Sequence, residues 1–243
     1  MNEHILHTVL PASGELGKSG AMRLSGYQHL ICAAAELDLT TRNMSIGQTI
    51  AKGYAWAITS LTVDVTQPVT GCDPLSARTW ISSDRQPINR RELQFLLGDN
   101  ECFRAAVFST PVSVETHRII RLDAGDAGCV GGPLLVDNAV SRITSLPEME
   151  EVSRREVFPS DIDALGHMNN CRYGALAYDV LTESERELLT GPFRFTIIFR
   201  RQFFQGDTVV LCRGADDRGI FVTGSQPDSD KPSFIVWLEP QNQ

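Results

Sequence analysis

The sequence predicts an α+β protein built from two similar halves, each with one helix and several antiparallel strands. Two observations support this prediction. In each half an apolar pattern of helical period comes before a long strand-like run, and a Gly and an Asp follow that run before the next strand. An antiparallel sheet that wraps around the helix is the simplest arrangement of such a half.

The first half places its helix at residues 27–37 and its first strands at 54–65 and 75–81, separated by Gly71 and Asp73. The second half places its helix at 170–181 and strands at 193–204 and 208–213, separated by Gly206 and Asp207. Gly and Asp favour tight turns, so both pairs are predicted to close hairpins. Further strands are predicted at residues 92–97, 103–115, 219–224 and 233–238.

The boundary between the halves lies where Gly, Asp and Pro accumulate and the apolar period is lost, at residues 123–137. We therefore predict an N-terminal domain at residues 1–125, a linker at 126–150 and a C-terminal domain at 151–243.

Composition limits the function classes. In 243 residues, 42% are hydrophobic, which is ample for a buried core. No apolar run of about 18 residues and no signal-peptide pattern occurs, so we expect a cytoplasmic protein without a membrane span. The net charge of −8 makes nucleic acid an unfavourable partner. The six cysteines have no close pair in sequence, which argues against a disulfide framework and a zinc site.

The cations are nearly all arginines, and several occur in adjacent pairs. The pairs are Arg90-Arg91, Arg154-Arg155 and Arg200-Arg201. The planar guanidinium groups fit phosphate esters, so the set as a whole suggests a phosphopantetheine-bearing or acidic protein partner. Any single pair is more typical of outward strand positions with ordinary surface ion pairs.

The strongest functional signal is the polar run between Phe158 and Tyr173, which lies between a short strand at 154–158 and the second helix. Asn169 and Asn170 are good helix-capping residues, and the free N–H groups of the first turn offer an oxyanion site. Asp163 lies close enough in sequence to fold back beside that helix start. A carboxylate beside such donors suits acyl-group hydrolysis.

Simpler interpretations of these residues remain open. Asp161, Asp163 and Asn169 are also common turn and cap formers, and a lone histidine such as His167 is often only a hydrogen-bonded turn residue. Cys171, in the first helical turn, is either an activated thiol or a small packing residue.

The run from residue 160 to 173, Ser-Asp-Ile-Asp-Ala-Leu-Gly-His-Met-Asn-Asn-Cys-Arg-Tyr, resembles the active-site turn of hotdog-fold thioesterases, and the chain from about residue 16 to 214 resembles acyl-ACP thioesterases. Weaker similarities lie at Gly53-Tyr54-Ala55-Trp56, Thr79-Trp80, Arg90-Arg91-Glu92, Thr116-His117-Arg118 and Phe199-Arg200-Arg201-Gln202. The resemblance implies two tandem hotdog domains, each an antiparallel sheet wrapped around a central helix.

The resemblance also implies site roles. Asp163, His167 and Asn169 or Asn170 fall on the family's turn, and Gln202 stands where many members place an acidic residue. Leu165 stands where plant-type members have an asparagine, and this version of the turn resembles that of smaller acyl-CoA thioesterases. Asp163 would act as general base or nucleophile on the thioester, with backbone donors near Gly166, Met168 and Asn170. No metal or other cofactor is expected.

The N-terminal half lacks such a turn before its helix, so by resemblance it would form the acyl pocket. Tyr54 and Trp56 are the candidate pocket walls, whereas the helix face of Tyr27, Leu30, Ile31 and Ala34 is either pocket or ordinary core. The expected substrate is an acyl thioester of acyl carrier protein (ACP) or of coenzyme A. Two alternatives from other classes remain open: a hydratase or dehydratase of acyl thioesters, which would be expected to show an Asp-and-His turn of different spacing, and a non-catalytic acyl-carrier binding protein. Either a monomer or a homodimer of the tandem unit is compatible with the sequence.

Overall fold

A computed structural model of the protein describes residues 6–85, 87–122 and 131–241. Ten of the strands in these ranges join in one antiparallel sheet, and the two longest helices pack against each other. The predicted α+β class is therefore confirmed.

The elements follow the predicted order. The strands are β1 (Leu6–Val9), β2 (Tyr54–Val65), β3 (Leu75–Arg85), β4 (Ile88–Leu97), β5 (Asn100–Ser113), β6 (Glu150–Glu156), β7 (Phe193–Phe199), β8 (Thr208–Asp216), β9 (Gly219–Ser225) and β10 (Phe234–Pro240). The α-helices are α1 (Leu24–Thr41), α2 (Ile46–Ala51), α3 (Asn170–Val180) and α4 (Glu183–Glu187), and short 3₁₀ helices occupy Ser13–Glu15, Pro159–Asp161 and Leu188–Thr190.

The two halves meet at the centre of the sheet, whose strand order is β1-β3-β4-β5-β2-β7-β10-β9-β8-β6. Strands β2 and β7 pair antiparallel, with Asp64 opposite Arg194 and Thr62 opposite Thr196. The Arg194 guanidinium donates to Asp64 Oδ2 at 2.9 Å, and the two threonine hydroxyls lie 3.0 Å apart. Hydrogen bonds and a part-buried ion pair thus join the halves into one sheet.

The predicted hairpins at Gly71 to Asp73 and at Gly206 to Asp207 are wrong. Strand β2 pairs with β5 and β7 rather than with β3, and β7 pairs with β2 and β10 rather than with β8. Each long central strand takes neighbours from elsewhere in the chain, so the turn residues serve crossover connections. Local turn chemistry does not distinguish these connections from hairpins.

The main core lies between one face of the sheet and the packed helices α1 and α3. Tyr27, Leu30, Ile31 and Ala34 of α1 belong to this core, together with Tyr173 of α3. The opposite face of the second half of the sheet is covered by residues 140–149, where Ile143 packs with Ile198, Phe221 and Ile235.

The predicted domain boundary cannot be followed through residues 123–130, which lie outside the described residues. The part of the predicted linker that is described, residues 131–149, is irregular until β6 begins at Glu150. The ends of the two domains stay a prediction.

Candidate active site

A buried carboxylate organises the turn that precedes helix α3. Asp161 is fully buried, and its side chain accepts hydrogen bonds from the backbone N–H of Phe158 at 2.9 Å, from Arg155 at 3.0 Å and from Arg172 at 2.7 Å. Burial by itself would raise the pKa of Asp161, but the Phe158 N–H and the two arginines outweigh it and lower that pKa. Asp161 is thus an ionised anchor of the turn rather than a group that contacts a ligand.

The turn then closes on Asp163. The Asp163 carbonyl accepts the Gly166 N–H at 3.0 Å, Asp163 Oδ1 accepts the Leu165 N–H at 2.8 Å, and the Asp163 N–H donates to the His167 carbonyl at 3.0 Å. Gly166 has a φ of 83°, a left-handed conformation that glycine adopts without strain. The Met168 N–H donates to the Phe203 carbonyl at 2.8 Å, which brings the segment after β7 beside the turn.

Helix α3 begins as its sequence predicts. Asn169 caps it, because its Oδ1 accepts the Cys171 N–H at 2.8 Å. Gln28 of α1 reaches across to the first turn, where its amide donates to the Asn170 carbonyl at 2.8 Å and accepts the Gly174 N–H at 3.0 Å. The start of α3 is therefore held by both halves of the chain.

A cavity of about 600 Å³ opens beside this turn. Of the predicted site residues, Asp163, His167, Asn170, Gln202 and Trp56 line it. These residues come from the turn, from the start of α3, from the segment after β7 and from β2, so folding brings together groups that are far apart in sequence.

The other predicted site residues do not line the cavity. Asn169 acts as the helix cap, Met168 is fully buried, and Gly166 shapes the turn. Tyr54 packs edge-on against Trp56 and supports it from behind. The four α1 residues Tyr27, Leu30, Ile31 and Ala34 are core, and the next face of α1, with Cys32, Ala35, Asp38 and Leu39, lines the cavity instead.

The structure corrects the prediction of three backbone oxyanion donors. The Gly166 and Met168 N–H groups already donate to backbone carbonyls, and each N–H has one proton to donate. The Cys171 and Arg172 N–H groups are bound to Asn169. Among the described residues no acceptor is found for the Asn170 N–H, so of the three predicted donors it is the one still available to a bound oxyanion.

Asp163 and His167 are both accessible from the cavity. Their side chains keep 22% and 17% of their surface exposed, and His167 Nδ1 lies 3.6 Å from Asp163 Oδ2. Because the Leu165 N–H donates to Asp163 Oδ1, the other carboxylate oxygen, Oδ2, remains for a water or a substrate. Gln202 lines the same cavity and supplies a neutral amide rather than a second carboxylate.

Cys171 is poorly suited to act as a nucleophile. It is 3% exposed, and a hydrogen bond with Cys32 together with burial raises the pKa of its thiol. An activated catalytic thiol has a lowered pKa and is accessible to its substrate. The packing interpretation of Cys171 therefore agrees with the structure.

Sequence reasoning missed a charged group in the cavity wall. Asp38 of α1 and Arg91 of β4 are 2% and 8% exposed, and Arg91 Nη1 donates to Asp38 Oδ2 at 2.7 Å. Two signals point to them. Asp38 follows Ile31 by seven residues on one helix face, near the end of the helix that disfavours an acid, and Arg91 shares the inward side of β4 with Leu93 and Phe95.

Neither a metal-binding cluster nor a membrane-spanning helix is found within the three described ranges. No group of three or more His, Cys, Asp and Glu side chains there is arranged to hold a metal ion. None of the helices there is long and apolar enough to cross a bilayer.

Comparison with known proteins agrees with this geometry. Residues 145–231 match the family model "Acyl-ACP thioesterase C-terminal domain". No curated protein sequence matches the chain.

Solved structures resemble the chain over nearly its whole length. An acyl-ACP thioesterase from Bacteroides thetaiotaomicron has a TM-score of 0.85 at 15% identity, and the match covers 98% of each chain. The 12:0-ACP thioesterase from Umbellularia californica has a TM-score of 0.79 at 15% identity, covering 98% of this chain and 97% of the other. At these identities the likeness establishes the fold, which is the predicted tandem hotdog arrangement. The family-model match adds that residues 145–231 are similar to the C-terminal domain of acyl-ACP thioesterases.

Proposed function

We propose that the cavity beside helix α3 is the active site of an acyl-ACP thioesterase that uses Asp163 to direct water onto the thioester. The observation that carries this proposal is the convergence of Asp163, His167, Asn170 and Gln202 on one cavity from three separate segments. The first half contributes the opposite wall, including Trp56 and Ile58 of β2, against which an acyl chain would pack.

In the proposed reaction Asp163 Oδ2 takes a proton from water while the water oxygen bonds to the thioester carbonyl carbon. The carbonyl oxygen becomes an oxyanion and accepts the Asn170 N–H at the positive end of the α3 dipole. The C–S bond then breaks, and the departing thiolate takes the proton back from the Asp163 carboxyl. The products are the free acid and the carrier thiol.

His167 and Gln202 would position the reacting groups. The imidazole, 3.6 Å from Asp163, favours the carboxylate orientation in which Oδ2 faces the cavity. The Gln202 amide can hold the attacking water but cannot take its proton. We expect Gln202→Ala to lower kcat by about tenfold or less, the range of a neutral hydrogen bond, and Asp163→Asn to lower it by about 10²–10⁴.

The carrier would approach the cavity at Arg200 and Arg201, which line it next to Gln202 and are exposed. Arg200 donates to the Ile143 carbonyl at 2.9 Å, whereas no partner of the Arg201 side chain is found among residues 6–85, 87–122 and 131–241. Guanidinium groups bind phosphate well, and both ACP and coenzyme A carry a phosphopantetheine. The choice of carrier is therefore left to the assay.

The test is mass-spectrometric detection of free acid from matched acyl-ACP and acyl-CoA substrates, with wild type, Asp163→Asn and Asp179→Asn compared. Asp179 lies exposed on α3 away from the cavity, so the same substitution there controls for the loss of one carboxylate. Hydrolysis that collapses only in Asp163→Asn supports the proposal. Equal activity in all three proteins would remove Asp163 from the mechanism.

A single turnover in water enriched in heavy oxygen separates the two possible roles of Asp163. A general base delivers the labelled water oxygen to the acid directly. A nucleophile forms an anhydride first, and water that then attacks the Asp163 carbonyl of this anhydride leaves its labelled oxygen in the Asp163 carboxylate and an unlabelled oxygen in the acid. Peptide mapping after turnover therefore distinguishes them.

A further inference from the structure

We propose that this cavity takes an acyl chain that carries an oxygen group near its far end, in preference to a methyl-terminated chain. This inference rests on the proposed function, because it concerns the substrate of the same site. The observation behind it is a polar cluster in the part of the cavity that the first half builds. The lining there includes Asp38, Arg42, Asn89, Arg91, Ser109 and Thr110.

These polar residues lie together. Arg91 and Asn89 are two residues apart on one side of β4, opposite Val107 and Ser109 of β5. Arg91 is bonded to Asp38, and Arg42 Nη2 lies 3.1 Å from the same carboxylate. The three charged side chains therefore form one connected group at the C-terminal end of α1.

The ion pair leaves donors free for a ligand. Contacts of the Arg91 guanidinium to Asp38 and Thr79 both involve Nη1, and within the described parts of the chain no acceptor is found for its other two nitrogens. The Arg91 side chain nevertheless keeps 10% of its surface exposed and lines the cavity. Desolvating those N–H groups against a methyl end would cost free energy, whereas a hydroxyl or carboxylate oxygen would accept from them.

The spacing of the strands sets the length of chain that would reach this cluster. Strand β4 lies three positions from β7 in the sheet, about 14 Å at a strand spacing of about 4.8 Å. A fully extended chain advances roughly 1.2 Å per bond, so a chain of about ten to twelve carbons spans that distance.

The test compares pantetheine thioesters of about six to twelve carbons that end in a methyl, a hydroxyl or a carboxylate. Each is titrated calorimetrically into Asp163→Asn protein and assayed for hydrolysis with the wild type. We expect an oxygen-terminated chain to bind at least about tenfold more tightly than its methyl-terminated match, the effect of one hydrogen bond to a charged group.

Variants assign the preference to the cluster. Arg91→Lys keeps the positive charge beside Asp38 but removes the planar guanidinium. The double variant Asp38→Asn/Arg91→Gln removes both charges of the buried pair, and Arg42, whose side chain is 32% exposed, is then solvated by water. Arg90→Lys is the matched control, because Arg90 pairs with Glu92 at 2.6 Å and does not line the cavity. Both cluster variants should lower the ratio of the affinities for the oxygen-terminated and methyl-terminated chains toward one, and the control should retain the wild-type ratio.

A wild-type preference for the methyl-terminated chain, or a preference for oxygen that survives in both cluster variants, would overturn the inference. Absence of hydrolysis with every substrate would count against the proposed function instead, because the titrations measure the binding preference without turnover.

Discussion

Helices α1 and α3 pack closely where Gly174 faces Gln28, and this contact yields a sharp prediction. A Cβ atom at position 174 would lie 2.1 Å from Gln28 Oε1 and 3.1 Å from the Ser25 nitrogen. Gly174→Ala must therefore expel the Gln28 amide from its bonds with Asn170 and Gly174. Because Gln28 is only 1% exposed, its amide would lose both bonds without gaining water.

The magnitude follows from these contacts. Two hydrogen bonds contribute about 1 kcal/mol each, and a buried unsatisfied amide costs about 2 kcal/mol more. The higher helix propensity of alanine offsets about 1 kcal/mol of this loss in the free energy of unfolding. We expect Gly174→Ala to lower the free energy of unfolding by about 3 kcal/mol in the wild type, but by less than about 1 kcal/mol in a Gln28→Ala background, where the expelled group is absent.

Urea unfolding followed by circular dichroism measures both values, provided the m-value is unchanged. Gly47→Ala in α2 is the control, because a Cβ there meets nothing within 4 Å and should be neutral or slightly stabilising. An equal cost of Gly174→Ala in both backgrounds would refute the reasoning.

Three further predictions use other buried groups. The Asp161 carboxylate has a lowered pKa in the folded protein, so it stabilises the fold at pH values above 3.8, its pKa in the unfolded chain. This stabilisation is lost as the pH falls through the pKa of the folded protein. Urea unfolding at falling pH should therefore show a smaller acid-dependent loss of unfolding free energy in Asp161→Asn than in wild type. An Asp161→Asn curve parallel to that of the wild type would contradict this. Asp64→Ala removes the carboxylate that pairs with the part-buried Arg194 between the two halves and should cost about 1.5–3 kcal/mol of unfolding free energy by the same assay; a cost below about 1 kcal/mol would show that the pair contributes little. In native protein, maleimide labelling followed by peptide mass spectrometry should modify the exposed Cys72 and spare Cys171, whose pKa is raised; equal labelling of both would show that the α1–α3 contact opens.

Local patterns predicted the parts of the fold that local chemistry determines. Strand β2 begins and ends at the predicted residues, and Asn169 caps α3 as expected. Strand pairing was not predictable in this way, because the neighbours of β2 and β7 are set by the packing of whole halves rather than by their turns. The Gly and Asp of those turns carry no information about which strand lies beside which.

The same limit applies to the candidate site. The turn signal placed Asp163, His167 and Asn170 at the cavity, since they lie within eight residues of each other. The choice among backbone donors required knowing that the Phe203 carbonyl accepts the Met168 N–H, a contact between two residues that are 35 positions apart in the sequence. The pairing of Asp38 with Arg91 was missed for the same reason: the sequence marks Arg91 only as a neighbour of Arg90, and the fold brings it to Asp38, 53 residues away.

The two halves share a fold, yet the first half has no open helix start that could serve as a second site. Glu15 fills the corresponding region, where its carboxylate accepts the Ser25 hydroxyl at 2.7 Å and lies 2.9 Å from His29. None of residues 13–31 lines the cavity. The reacting groups thus come from the second half and much of the acyl wall from the first, so neither half can form the proposed site alone. We expect the isolated C-terminal half to lack hydrolysis even if it folds, and hydrolysis by that half alone would show that the wall from β2, β4 and α1 is dispensable.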